Sequence, residues 1–231
     1  SQTSPGALDD LPQQLARAAE RCRDLAAAPE FGFLYDARRR LFHIGWRVGD
    51  GQAYEQADGQ ADGQVDSGHY DLLASEARAA SLWAIAKGDV PASHWAALGR
   101  PFQAAGAHVG LRSWSGSMFE YLMPSLVLEE PEGTVLARAG RMAVHEQRRF
   151  GEVQGLPWGI SECARAEVDR SLAYQYGPQG VPRLAMRRTP ADERVVAPYA
   201  TALAAMLDPA AAAANLRRLE ALGARGGRGF I

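Results

Sequence analysis

Ser113-Trp114-Ser115-Gly116-Ser117-Met118-Phe119-Glu120-Tyr121-Leu122-Met123-Pro124 decides how this chain is read. A tryptophan and a run of small turn residues lead into an apolar helix with one carboxylate near its start. The spacing predicts a buried helix over residues 116–128, apolar almost all round. Ser117 followed by Glu120 fits a capping box, in which each side chain satisfies a backbone N–H at the helix start. The same carboxylate, close to Trp114, also fits a sugar site, where aromatic faces stack on rings and carboxylates act as acid, base or nucleophile. Both readings stay open for Glu120.

Two further segments repeat this chemistry. Tyr70-Asp71-Leu72-Leu73-Ala74-Ser75-Glu76-Ala77-Arg78 places Glu76 on an apolar helix predicted from Tyr70 to Ile85. A carboxylate there must be paired or hold its proton, and a raised pKa is what a general acid needs. The plain alternative is a Glu76–Arg78 pair on a solvated face. Pro157-Trp158-Gly159-Ile160-Ser161-Glu162 sets Glu162 in a Gly- and Pro-shaped loop beside Trp158. Glu162 reads either as a nucleophile or base, or as an ordinary surface glutamate. Asp36, after Tyr35, and Asp71, after Tyr70, are weaker candidates that also suit turn capping.

Outward from these segments, helical periodicity marks residues 8–26, 91–98, 134–150, 194–207 and 209–222. Asp208 followed by Pro209 supplies an N-cap and a first-turn proline. Residues 40–48 read as a strand or hairpin arm, and residues 153–181 as mostly loop. The total is six or seven helices and one strand pair, so the expected class is mainly α, a helical bundle or toroid. Residues 1–30 form an N-terminal helical segment and residues 31–231 a single domain. Residues 49–68, with the near-repeat Ala57-Asp58-Gly59-Gln60 and Ala61-Asp62-Gly63-Gln64, are polar and of low complexity, and are expected to be a mobile insertion.

Composition narrows the function classes. The chain has 231 residues, 47% of them hydrophobic, and a net charge of -2, which gives no reason to expect nucleic acid or an anionic membrane as partner. No apolar run reaches the ~18 residues of a membrane span. Cys22 and Cys163 fit no metal spacing and read as free thiols. His43, His69, His94, His108 and His145 show no His-x-x-x-His pair, so no metal and no cofactor is assigned. No nucleophile elbow or phosphate loop occurs. Residues 1–6 lack the features of a signal peptide. Both ends read as internal boundaries, so a segment of a longer protein is expected.

Read together, Phe31-Gly32-Phe33-Leu34-Tyr35-Asp36, Leu41-Phe42-His43-Ile44-Gly45, the Tyr70 to Arg78 stretch, Ala84-Ile85-Ala86-Lys87-Gly88-Asp89-Val90-Pro91, the Ser113 to Pro124 stretch, Pro157 to Glu162, Tyr174-Gln175-Tyr176 and Val195-Val196-Ala197-Pro198-Tyr199-Ala200-Thr201-Ala202-Leu203 resemble, in order, the glucoamylase-like domain of cyclic β-1,2-glucan synthases. The resemblance implies an (α/α)6 toroid, here its N-terminal part. It implies retaining transglycosylation that closes linear β-1,2-glucan into a ring, with Glu162 as nucleophile and Glu76 as acid/base. Glu120 and Asp36 would line the cavity, and Tyr35, Tyr70, Trp114, Trp158, Tyr174 and Tyr176 would contact sugar. The partners would be the glucan and the other domains of the synthase, at the cytoplasmic face of a bacterial inner membrane, with this segment outside the bilayer. Cys163 stands where the family usually has serine. An endo-β-1,2-glucanase and a non-catalytic glucan-holding domain are the alternatives, and the isolated chain is expected to be poorly active.

Overall fold

The computed structural model describes residues 10–48, 63–187 and 194–230. The first helix, α1 (Leu11–Ala27), follows the periodicity of its leucines and ends before Pro29. It buries none of its residues. A short 3-10 turn at Gly32–Leu34 leads into β1 (Tyr35–Asp36), β2 (Leu41–His43) and β3 (Trp46–Val48). Beyond them come β4 (Gly63–Val65) and β5 (His69–Tyr70). Strand β2 lies between β1 and β5 in an antiparallel sheet, while β3 pairs with β4.

Next come α2 (Arg78–Lys87) and α3 (Ser93–Ala97), then the hairpin β6 (Phe102–Ala105) and β7 (His108–Leu111). Helix α4 (Met118–Leu122) runs into a 3-10 turn at Met123–Leu126. The longest helix, α5 (Val135–Gln154), is capped by Thr134, whose hydroxyl accepts from the N–H of Ala137. The hairpin β8 (Cys163–Val168) and β9 (Tyr174–Gly177) follows. Helices α6 (Pro198–Ala204) and α7 (Pro209–Ala221) meet at Asp208, which accepts from the N–H of Ala211. A two-stranded ribbon, β10 (Arg225–Gly226) with β11 (Gly229–Phe230), comes last.

This architecture corrects the expected class. The described residues hold seven α-helices, of 5 to 20 residues, interleaved with eleven short strands in five small antiparallel sheets. That is not a mainly α (α/α)6 toroid, which is a closed ring of long paired helices. Two local causes shorten the helices. Pro124 has no N–H to donate, so the apolar stretch after Gly116 breaks into α4 and a 3-10 turn. Tyr70 pairs with Phe42 in β5, so the helix expected from Tyr70 begins only at Arg78. The expected insertion falls largely on residues 49–62, outside the described residues, and the rest of it supplies β4 and the approach to β5.

One core joins these pieces. Leu73, Met118, Tyr121, Leu122, Met142 and Leu184 are among its buried side chains, drawn from the loop before α2, from α4 and α5, and from the segment before α6. The β6–β7 hairpin lies directly on α5, and Gly110 makes that possible. A Cβ there would sit 2.8 Å from the Cα of Ala139. Phe42, Ala84 and Val90 form a smaller cluster under β2. The loops that end at Glu76, Trp114 and Glu162 emerge from one side of this core.

Candidate active site

A cavity of about 490 Å³ is lined by Tyr70, Glu76, Trp114, Glu120 and Glu162, with Asp71, Arg39 and Arg187 also in its wall. The three glutamates of the three sequence segments therefore meet, although each comes from a different part of the chain. Their environments differ, and the differences set what each can do.

Glu120 is held by donors on almost every side. It is 5% exposed, on the first turn of α4. The hydroxyls of Ser113 (2.7 Å), Ser115 (2.6 Å) and Ser117 (3.1 Å) donate to its carboxylate. The backbone N–H groups of Ser115 (3.1 Å) and Ser117 (3.0 Å) donate as well. The Ser117–Glu120 capping box expected from the sequence is present. Gly116, at φ +73°, makes the tight turn that folds these serines round the carboxylate. Glu120 is thus a fixed part of the wall.

Glu76 is the opposite case. It lies in the turn just before α2 rather than within a helix. The side-chain donor to its carboxylate is the Ser75 hydroxyl, at 3.2 Å. Burial raises its pKa most; its own backbone N–H opposes this, the charges of Glu120 and Glu162 push it further up, and Ser75 opposes least. Arg78 does not pair with it. That guanidinium is 2% exposed and forms an ion pair with Glu130 at 2.6 Å. It also donates to the carbonyls of Ser75 (2.9 Å), Glu120 (2.7 Å) and Tyr121 (2.6 Å). Arg78 so ties the Glu76 turn to the helix that carries Glu120.

Glu162 stands at the mouth of β8. Tyr176 on β9 donates to its carboxylate at 2.7 Å. The Tyr199 hydroxyl lies 2.6 Å from its carbonyl and 2.8 Å from Ser161 Oγ. Burial pushes the Tyr199 phenol up to about 12, with the Ser161 hydrogen bond opposing and the charge of Glu162 adding to it, so it stays a donor. Burial and then Glu162 also raise the Cys163 thiol, which keeps it from acting as a thiolate. The backbone leading to Glu162 is clamped from α5. Gln147 accepts from the N–H groups of Gly159 (3.2 Å) and Ile160 (2.8 Å) and donates to the Ile160 carbonyl (2.6 Å). Burial raises the Tyr70 phenol, and the charges of Glu76 and Glu162 add to it, so this ring lies within reach of both carboxylates.

The other expected sugar contacts are scattered. Trp114 is 45% exposed in the cavity wall, its indole N–H donating to Asp71 at 2.7 Å. Trp158 is 8% exposed and belongs to the core, with its backbone held by Asn215. Tyr35 packs edge-on against Phe42 and His94 outside the cavity wall. Asp36 accepts from the N–H groups of Arg38 and Arg39 and stands 3.3 Å from His69, which lines the cavity. Tyr174 is 68% exposed and Tyr176 reaches the cavity only through Glu162. Sequence reasoning missed Tyr199, Gln147 and Ser161 as positioning residues, because their contacts join distant segments. No helix among the described residues is long and apolar enough to cross a membrane.

Comparison with known proteins supplies a family. The model of the family described as "Putative glucoamylase" matches residues 68–230, a stretch that contains all three cavity glutamates. A cyclic beta-(1,2)-glucan synthase, NdvB of Rhizobium meliloti (strain 1021), is 48% identical over 225 residues. That alignment covers 97% of this chain and 8% of the relative.

Proposed function

The chain belongs to the Putative glucoamylase family, and from that membership and the cavity's carboxylates we propose that it carries the cyclising transglycosylation step of cyclic β-1,2-glucan synthesis. The observation that carries this reading is the pairing of Glu76 and Glu162 across one cavity, with burial and two neighbouring charges favouring the protonated form of Glu76. A carboxylic acid and a second carboxylate lining one cavity are the equipment of glycosidic bond exchange, and the retaining course is part of the proposal.

In this proposal Glu162 attacks the anomeric carbon and forms a glycosyl-enzyme. Glu76 gives its proton to the departing oxygen of the linear glucan. A hydroxyl from the far end of the same chain then attacks the anomeric carbon, Glu76 takes its proton, and Glu162 is released. Tyr176 positions the nucleophile, while Tyr70 and Trp114 offer faces to the sugar rings. The working site is then one part of a larger synthase at the cytoplasmic face of a bacterial inner membrane, next to domains that make and trim the glucan.

The test is mass spectrometry of products from linear β-1,2-glucan incubated with the complete domain of the parent protein, wild type beside Glu162→Gln, with glucan binding measured by calorimetry on both. Products lighter by one water than the linear series, lost in the variant, support the proposal. Shorter linear products alone move the assignment to an endo-β-1,2-glucanase. Retained binding with no bond exchange in either protein makes it a glucan-holding domain.

A further inference from the structure

Beside the cavity lies a cluster that the carboxylate chemistry does not use. The sheet β1-β2-β5 places Asp36 opposite Leu41 and His43 opposite His69. Side chains alternate between faces along a strand, so Leu41 and His43 share a face and draw Asp36 and His69 to it. One carboxylate oxygen of Asp36 and one ring nitrogen of each histidine lie within 4.8 Å of one another. The two imidazole rings are 4.3 Å apart, centre to centre.

The remaining polar atoms of this group are already committed in the way a metal site commits them. His43 Nδ1 lies 2.6 Å from the Asp66 carbonyl, which makes Nδ1 the N–H donor and leaves the Nε2 lone pair free. One oxygen of Asp36 accepts from the N–H groups of Arg38 (2.9 Å) and Arg39 (3.0 Å), and the other faces His69 Nε2 at 3.3 Å. That nitrogen is buried without a hydrogen bond, on a side chain 9% exposed. Partners of this kind orient ligands from outside the metal's own shell. Two imidazoles and one carboxylate suit a borderline divalent ion with a further position open.

We propose that Asp36, His43 and His69 bind one divalent transition-metal ion of the zinc class at the cavity's edge. The strand register, not the sequence spacing, assembles this set. Bonds of about 2.0–2.2 Å require the donors to draw in by roughly 1 Å, which side-chain rotation provides. The Arg39 guanidinium, 3.8 Å from Asp36, is the cation now nearest the carboxylate, and its 60% exposed side chain is free to swing into water. His69 lines the cavity and precedes Tyr70, so the ion would pin the strand that presents Tyr70 to the carboxylates.

The experiment is a titration of the chelator-treated protein with Co²⁺, followed by its visible absorption, then by back-displacement with Zn²⁺. It reads metal binding and does not depend on glucan chemistry. The expected result is a band that saturates at one ion per chain and is lost on adding Zn²⁺. His43→Ala and Asp36→Asn weaken it by more than the ~10–100-fold that loss of an outer partner costs. His145→Ala is the control, because His145 stacks on His108 at 4.5 Å away from this group, and it leaves the band intact. The absence of a saturable band in the wild-type protein overturns the proposal whatever the variants do. Loss of the band in His145→Ala with retention in Asp36→Asn overturns it as well.

Discussion

Replacing Arg78 by methionine tests whether the Glu76 turn is held by a buried ion pair. Methionine fills much of the same volume, so the change isolates the charge and its hydrogen bonds. The guanidinium donates twice to Glu130, at 2.6 Å and 3.0 Å, and once each to three backbone carbonyls. The Glu130 side chain is itself only 10% exposed. Removing one partner of such a pair strands the other charge and costs about 3–5 kcal/mol. The carbonyls of Ser75, Glu120 and Tyr121 lose donors too, which favours the upper part of that range. In a domain of this size the loss corresponds to a fall in Tm of about 6–20 °C. Urea unfolding of Arg78→Met, Glu130→Gln and the double variant measures it as a cycle. Glu130→Gln should recover part of the stability in the Arg78→Met background, because the stranded charge is then gone. A loss under about 1 kcal/mol for Arg78→Met, or strict additivity of the two changes, would refute the reasoning.

Glu76→Gln should raise stability at neutral pH while lowering bond exchange about 10²–10⁴-fold. The sign follows from linkage. The folded pKa of Glu76 lies above its ordinary value of 4.5, so the folded state binds the proton more tightly than the unfolded one. Stability from this group is present below the unfolded pKa and is lost as pH rises through the folded value. Thermal melts across that interval should show the variant gaining on the wild type as pH rises, and a constant difference would sink the prediction. Trp158→Ala should cost about 3–5 kcal/mol of stability, since the ring belongs to the core. Trp114→Ala should leave the melting curve nearly unmoved and weaken glucan binding by calorimetry; the reverse pattern would exchange the roles of the two rings.

The helices with local signals were legible. Asp208-Pro209 marks a helix start by side-chain chemistry that acts within one turn, and α7 begins where it stands, while α5 follows the periodicity of residues 134–150. The Ser117–Glu120 box was legible for the same reason. The strands were not. Residues 70, 73, 74 and 77 carry an apolar pattern that fits a helix, yet Tyr70 is claimed by Phe42 from β2, a pairing that no local window contains. Hairpin β6–β7 is rich in alanine and glycine, which carry little strand preference, and it forms because Gly110 lets it close on α5. The site divides along the same line. Glu76 and Glu162 were legible as carboxylates beside aromatic rings. Tyr199 and Gln147 act on the Glu162 loop across long stretches of chain, and Trp158 carries the same sequence signal as Trp114 while pointing into the core.

Glu120 and Glu76 show how one cavity gives two identical side chains different surroundings. Three serine hydroxyls and two backbone N–H groups surround the Glu120 carboxylate, so its negative charge is compensated where it stands. Glu76 has one long hydrogen bond from Ser75, and it faces the charges of Glu120 and Glu162. Burial and these charges raise the proton affinity of Glu76, which suits it to the acid's part in the proposed reaction. The capping box that starts α4 therefore has a second consequence. By fixing Glu120 in place it holds a charge against Glu76, and Arg78 keeps the two segments in register by binding the carbonyls of Ser75 and Glu120 together. Helix capping and a place in the cavity wall, which competed as readings of Glu120 in the sequence, are one arrangement in the fold.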